Sequence, residues 1–189
     1  MSFIPAFKIG IWNAWIFITV FLWQMLLMRL INKEAFKKSG HPSDMKLNKR
    51  EKIASIIFTW LTYLSYIYTI FLPLKLATLW FYIGVAIFIL GLFILIIATI
   101  NFSTTSLSLP ITKGIYRYCR HPMYFANFII FLGTGIASAS WIIIIISIAF
   151  LILANIYAAS EERFCLKKYG NLYKKYINRT PKWVGIPKP

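Results

Sequence analysis

The sequence predicts an all-α integral membrane protein: about five transmembrane helices, a C-terminal helical hairpin, and a cytoplasmic amphipathic helix after it. Three observations predict this. Of the 189 residues, 59% are hydrophobic and 18% aromatic, with a mean hydropathy of +0.69, which leaves too few polar residues to cover a globule. Several apolar runs reach or exceed about 18 residues without a charge, the length of a bilayer crossing. The net charge of +16 sits in the segments between those runs. Lys and Arg beside a bilayer report orientation and contact with anionic lipid, so nucleic acid is not an expected partner.

The first span is expected from about Ile9 to Leu30, with Trp12, Trp15 and Trp23 where interfacial aromatics are common. That run is too long for a signal-peptide core, and no small-residue cleavage site follows it. A basic connection, Asn32 to Lys52, has a turn-rich centre at Ser39-Gly-His-Pro-Ser43, where His41 reads as a solvated loop residue. The second span is about Ile53 to Leu74. Ser55, Thr59, Thr62, Tyr66 and Thr69 share one of its faces, either for helix packing or as a polar groove lining. Pro73 and Lys75 mark a turn before the third span, about Leu76 to Ile100, where Gly84 and Gly91 would let another helix approach closely. A polar stretch from Asn101 to His121 leads to the fourth run, Met123 to Ala139. Ser138 to Ser140 gives room for a tight turn, and Trp141 to Ala159 is the fifth. In the tail, apolar residues from Phe164 to Ile177 recur among Lys and Arg at mainly helical spacing until Pro181. This reads as an amphipathic helix resting on the membrane or packed on the bundle.

Alternating the sides puts Lys8 and Lys75 on one face and the rest of the 21 Lys and Arg on the other. By the positive-inside rule the N-terminus is outside and the C-terminus cytoplasmic. Cys119 and Cys165 then lie in a reducing compartment as free thiols, and no CxxC or Cys/His cluster suggests a metal.

Chemistry concentrates in two places. Gly114-Ile-Tyr-Arg-Tyr-Cys-Arg-His-Pro-Met-Tyr124 precedes the hairpin, and Glu161-Glu162 follows it; the only other acids are Glu34, Asp44 and Glu51. Arg117, Arg120 and His121 offer donors to a carboxylate or phosphate. Pro122 suits a first helical turn, whose N–H groups favour anions. Tyr116, Tyr118 and Tyr124 could stack on a flat ring or donate a hydrogen bond. Two carboxylates at the C-terminal end of the fifth span oppose the helix dipole and need a compensating cation or ligand. A ligand with a carboxylate, an ammonium, ribose hydroxyls and a flat base, such as S-adenosylmethionine, fits this inventory. No Gly-rich strand–turn–helix loop supports a Rossmann-type site. The same residues also fit ordinary anchors, a plain helix start, and carboxylates paired with Arg163 or Lys167.

The segment from Gly114 to Ala126 resembles the Gly-x-Tyr…Arg-His-Pro-x-Tyr signature of the isoprenylcysteine carboxyl methyltransferase and phospholipid methyltransferase superfamily. Glu161-Glu162 with Tyr169-Gly-Asn-Leu-Tyr-Lys-Lys-Tyr176 resembles its second signature. The likeness covers about Thr112 to Tyr176; the first three spans match only in being hydrophobic. It implies an integral-membrane methyltransferase that uses S-adenosylmethionine at the cytoplasmic interface, with a lipophilic or lipid-linked acceptor entering from the membrane lipid. Residues 1–189 would form one membrane domain, 1–100 carrying three transmembrane helices and 101–189 the cofactor-binding hairpin and tail. Carried over by position, Arg120, His121, Pro122 and Tyr124 would line the cofactor pocket opposite Glu161 and Glu162, with Lys113 and Tyr116 as neighbours. Glu161, Glu162 or His121 would be the base where the acceptor must lose a proton. Many relatives have Arg a turn before the glutamates; Tyr157 stands there in this chain, leaving their compensating cation open. Competing expectations are an NADPH-dependent reductase of the sterol-reductase kind, for which the glutamates would be repulsive, and a non-catalytic lipid-binding scaffold.

Overall fold

The computed structural model describes residues 3, 7–38, 45–106 and 108–188, and among them every regular element is a helix. His41 and the whole turn-rich centre, residues 39–43, lie outside the described residues. Among the described residues, three helices are long and apolar enough to cross a membrane: α4 (Lys49–Ile70), α5 (Leu79–Ser103) and α7 (Trp141–Tyr169). The others are α1 (Trp15–Ile18), α2 (Val20–Ile31), α3 (Lys33–Lys38), α6 (Pro122–Ala137) and α8 (Asn171–Arg179), with a 3₁₀ turn at Gly114–Arg117.

The first apolar helix starts later than the sequence suggests. Asn13 Nδ2 donates to the carbonyls of Lys8 (2.6 Å) and Ile70 (2.7 Å). Ala14 N–H donates to Leu72 O (2.8 Å) and Leu74 N–H to Trp12 O (3.0 Å). Residues 12–14 thus satisfy their backbone on the connection after α4, which keeps both segments out of helix. Thr19 interrupts the helix that follows; its hydroxyl bonds the Ile16 carbonyl at 2.6 Å, a back-bond that bends helices. Trp15–Ile31 and Pro122–Ala137 are shorter apolar helices.

Helix α4 begins at Lys49, earlier than the apolar run, because Asn48 and Glu51 form a reciprocal capping box. Its hydroxyl stripe is mostly turned inward on itself: Thr59, Thr62 and Thr69 each donate to a carbonyl of α4. Helices α5 and α6 make the most extensive pairing. A Cβ on Gly84 would lie 2.2 Å from the Ala137 nitrogen, and one on Gly91 2.9 Å from Ile130, so these glycines do permit close approach. Helix α6 also packs on α7 across residues 138–140; α7 packs on α4, α2 on α5, and α1 on α4. Phe21, Phe131, Phe150 and Phe58 stack successively through the centre, with ring centroids 4.1–5.7 Å apart. This aromatic column ends on Tyr124, 6.3 Å from Phe58.

The tail departs from the expected single helix. Helix α7 has 29 residues, about 43 Å at 1.5 Å per residue, and runs through the glutamates to Tyr169. Gly170, at φ +54°, breaks it, and α8 follows. Tyr173 and Tyr176 of α8 are buried, so its inner face packs on the protein.

Candidate active site

Pro122 opens α6 and His121 is its N-cap, which fixes the Arg120–His121 corner at the helix start. Upstream, Gly114 adopts φ +58°, where a Cβ would strike the Asn101 side chain at 2.4 Å. Glycine therefore lets the 3₁₀ turn seat on the end of α5. On the facing helix, consecutive side chains diverge by about 100°. Glu161 and Glu162 reach different partners for that reason.

His121 Nε2 lies 2.9 Å from Glu162 Oε1, and its Nδ1 lies 3.5 Å from Glu161 Oε2. Tyr124 donates its hydroxyl hydrogen to Glu161 Oε1 at 2.8 Å. Arg120 Nε is 3.1 Å from Glu162 Oε1, an ion pair by distance, although this buried N–H has no acceptor aligned with it. The two segments singled out in the sequence meet directly. A neutral imidazole donates from one nitrogen only, yet both nitrogens here face carboxylates. Burial works to lower the His121 pKa, but hydrogen bonds and charge from the two glutamates outweigh it and hold the ring above the ordinary imidazole range.

The compensation problem posed by the sequence has a structural answer. The glutamates do not sit at a helix end, because α7 continues past them, so the dipole argument does not apply there. Their charges are met by Arg120 and His121, and Arg163 instead pairs with Glu51 at 2.6 Å. Tyr157, in the place of the relatives' Arg, turns its ring edge-on to Tyr124 at 6.5 Å.

Other expected neighbours divide. Tyr116 is buried beside the cluster, and its carbonyl accepts from the Tyr176 hydroxyl at 2.7 Å. Lys113 is not brought in: its Nζ donates to Thr104 O at 3.1 Å on an exposed edge. Arg117 and Tyr118 are exposed. Cys119 is buried, and burial pushes its thiol pKa up to about 11, which leaves it a poor nucleophile.

The tail adds residues that sequence reasoning missed. Arg120 Nη1 donates to Ile177 O, and its backbone N–H to Pro181 O, both at 3.1 Å. Trp183 stands 6.1 Å from the His121 ring, and Lys182 Nζ donates to Asn155 O at 2.9 Å. An aromatic and a cation just beyond the helix-stopping Pro181 were the available signal.

Residues 79–172 match the family model described as phospholipid methyltransferase. The match takes in α5, which the motif comparison alone had left as merely hydrophobic. The cobalt-zinc-cadmium resistance protein CzcN of Cupriavidus metallidurans is 31% identical over 72 residues, covering 38% of this chain and 33% of that protein. The aligned stretch is thus about a third of that relative's length. Over residues 79–172, from the start of α5 through the paired glutamates, the chain belongs to the phospholipid methyltransferase family.

Proposed function

We propose that the protein transfers a methyl group from S-adenosylmethionine to a lipophilic acceptor at the cytoplasmic membrane interface. The observation that carries this reading is the meeting of Arg120, His121 and Tyr124 with Glu161 and Glu162. Two features of the cluster fit the donor. The buried Arg120 Nε–H lacks an aligned acceptor, which a carboxylate could supply. Glu161 keeps a third of its side chain exposed and holds His121 only loosely at 3.5 Å, leaving an oxygen for an ammonium or a hydroxyl.

When bound, S-adenosylmethionine supplies a methyl carbon already activated by its sulfonium. The chain's task is to hold, orient and dry the reacting groups. Arg120 and His121 would hold the donor's carboxylate. One glutamate would take its ammonium or ribose, and the other would face the acceptor. Tyr124 and Trp183 wall the corner against water. A carboxylate or thiolate acceptor needs no base; an amine must shed a proton, which Glu161, Glu162 or His121 can accept. Prenylcysteine carboxylates and phospholipid amines are the acceptor classes that fit a membrane-facing site.

In this reading α1 with α2, and α6, complete five crossings with α4, α5 and α7. The N-terminus is outside, and the first 100 residues serve as scaffold within one membrane domain. The test is donor binding to Glu161→Gln and Arg120→Ala, followed by labelled methyl transfer to total membrane lipid, prenylcysteine analogues and small thiols. Unchanged donor affinity in both variants discards the assignment.

A further inference from the structure

Three consecutive residues of α7 are gripped by different partners. Glu161 is held by Tyr124, Glu162 by Arg120 and His121, and Arg163 by Glu51. The last contact reaches another helix. Arg163 Nη2 is 2.6 Å from Glu51 Oε2, and that same oxygen accepts the Asn48 N–H at 2.9 Å. The Glu51 N–H in turn donates to Asn48 Oδ1 at 2.9 Å. The Glu51 carboxylate is therefore buried and locked to the N-terminus of α4, while the Arg163 side chain is half exposed. Half-exposed guanidinium pairs contribute little net stability, so the consequence of this one is geometric.

We infer that Glu51, through Arg163, is a positioning residue: it fixes the rotation of α7 about its axis so that Glu161 and Glu162 both face the Arg120–His121 corner. Successive residues diverge by about 100°, so a helix free to turn by half that angle would aim neither carboxylate correctly. The capping box ties the clamp to backbone, which does not swing as a long side chain would. Glu51 lies before residues 79–172, outside the stretch that carries the family match. The N-terminal half thus acquires a part in the site beyond filling space. This inference rests on the methyl-transfer reading only for its kinetic readout.

The test uses full-length protein in lipid nanodiscs, with Glu51→Gln, Arg163→Gln, the double variant and Arg163→Lys. Mispositioning by about an ångström costs on the order of 10²-fold in rate, so each Gln variant should lose tens-fold in kcat/KM for the donor. The double variant should be no worse than either single one, and Arg163→Lys should recover most of the loss. Additive losses, or a lowered melting temperature with unchanged kcat/KM per folded molecule, would overturn the inference. A second readout needs no donor. In a His41→Gln background, His121 is the remaining histidine, and its modification by diethylpyrocarbonate should speed up in Glu51→Gln as the carboxylates release the ring. If wild type binds no S-adenosylmethionine but this acceleration appears, the functional reading fails and the positioning stands. If the donor binds and both readouts ignore Glu51→Gln, the positioning alone fails.

Discussion

The two ends of the bundle make opposite use of polar groups. At one end, α6 and α7 exchange side-chain contacts: Tyr124 with Glu161, His121 and Arg120 with Glu162. At the other, an apolar cavity of about 620 Å³ opens between α1, α2 and α4, lined by residues such as Trp15, Ile18, Phe21, Leu22, Tyr66 and Thr69. Among the described residues, no charged one lines it. Thr69 there spends its hydroxyl on a carbonyl of its own helix. The hollow would direct attention to the second place and chemistry to the first. A hollow without convergent polar groups can hold a hydrocarbon chain, but it cannot orient a charged reactant. Of the hydroxyl stripe of α4, Tyr66 and Thr69 line the cavity.

The sharpest way to break this contrast is Glu162→Gln. It removes the charge that Arg120 and His121 share, and labelled methyl transfer should fall by about 10²-fold. Thr69→Val, at the far end, should leave the rate within about twofold. Equal effects from the two would erase the distinction. Next in size is Gly133→Ala. A Cβ there would lie 2.6 Å from the Phe88 nitrogen and 2.7 Å from the Gly84 carbonyl oxygen, forcing α5 and α6 apart. Overpacking of this kind costs about 1–3 kcal/mol, to be read as a lowered unfolding midpoint in micelles.

A pH series sharpens the comparison further. His121 has its pKa raised by the glutamates, so its contribution to stability is complete below the ordinary imidazole value of about 6.5. That contribution is lost as pH rises through the higher folded value. The wild-type melting temperature should therefore fall over that window, and His121→Gln should flatten the fall. A parallel fall in the variant would assign it to other groups. Donor affinity should fall over the same window, as His121 loses the charge with which it would hold the donor's carboxylate. Titration of S-adenosylmethionine binding across the same window checks this. The smallest effect is expected from Thr62→Val, whose hydroxyl bonds the Phe58 carbonyl within α4; stability should shift by no more than about 0.5 kcal/mol.

Much of the site was legible because its chemistry is local in sequence. Arg120, His121, Pro122 and Tyr124 fall within one helix start, and Glu161-Glu162 are conspicuous in a chain with few acids. Lys113 stands apart because proximity along the chain says nothing about direction: its amine bonds the Thr104 carbonyl. The role of Arg163 was equally unreadable. Charge spacing along α7 offered Glu161 and Glu162 as partners, whereas the contact made is to Glu51, 112 positions away. The tail divided where Gly170 could take a positive φ that helical periodicity does not register.

The sequence by itself determined the helical class, the apolar runs and the residues able to do chemistry, since hydrophobic length and side-chain type are properties of the chain alone. Only the tertiary structure decided which charges neutralise which, where the first helix starts, and that Ile177, Pro181 and Trp183 close around the Arg120–His121 corner. Those outcomes depend on distances between segments remote in sequence. Such distances are set by how glycine-lined helices pack and by which buried polar groups pair, and no local pattern encodes them.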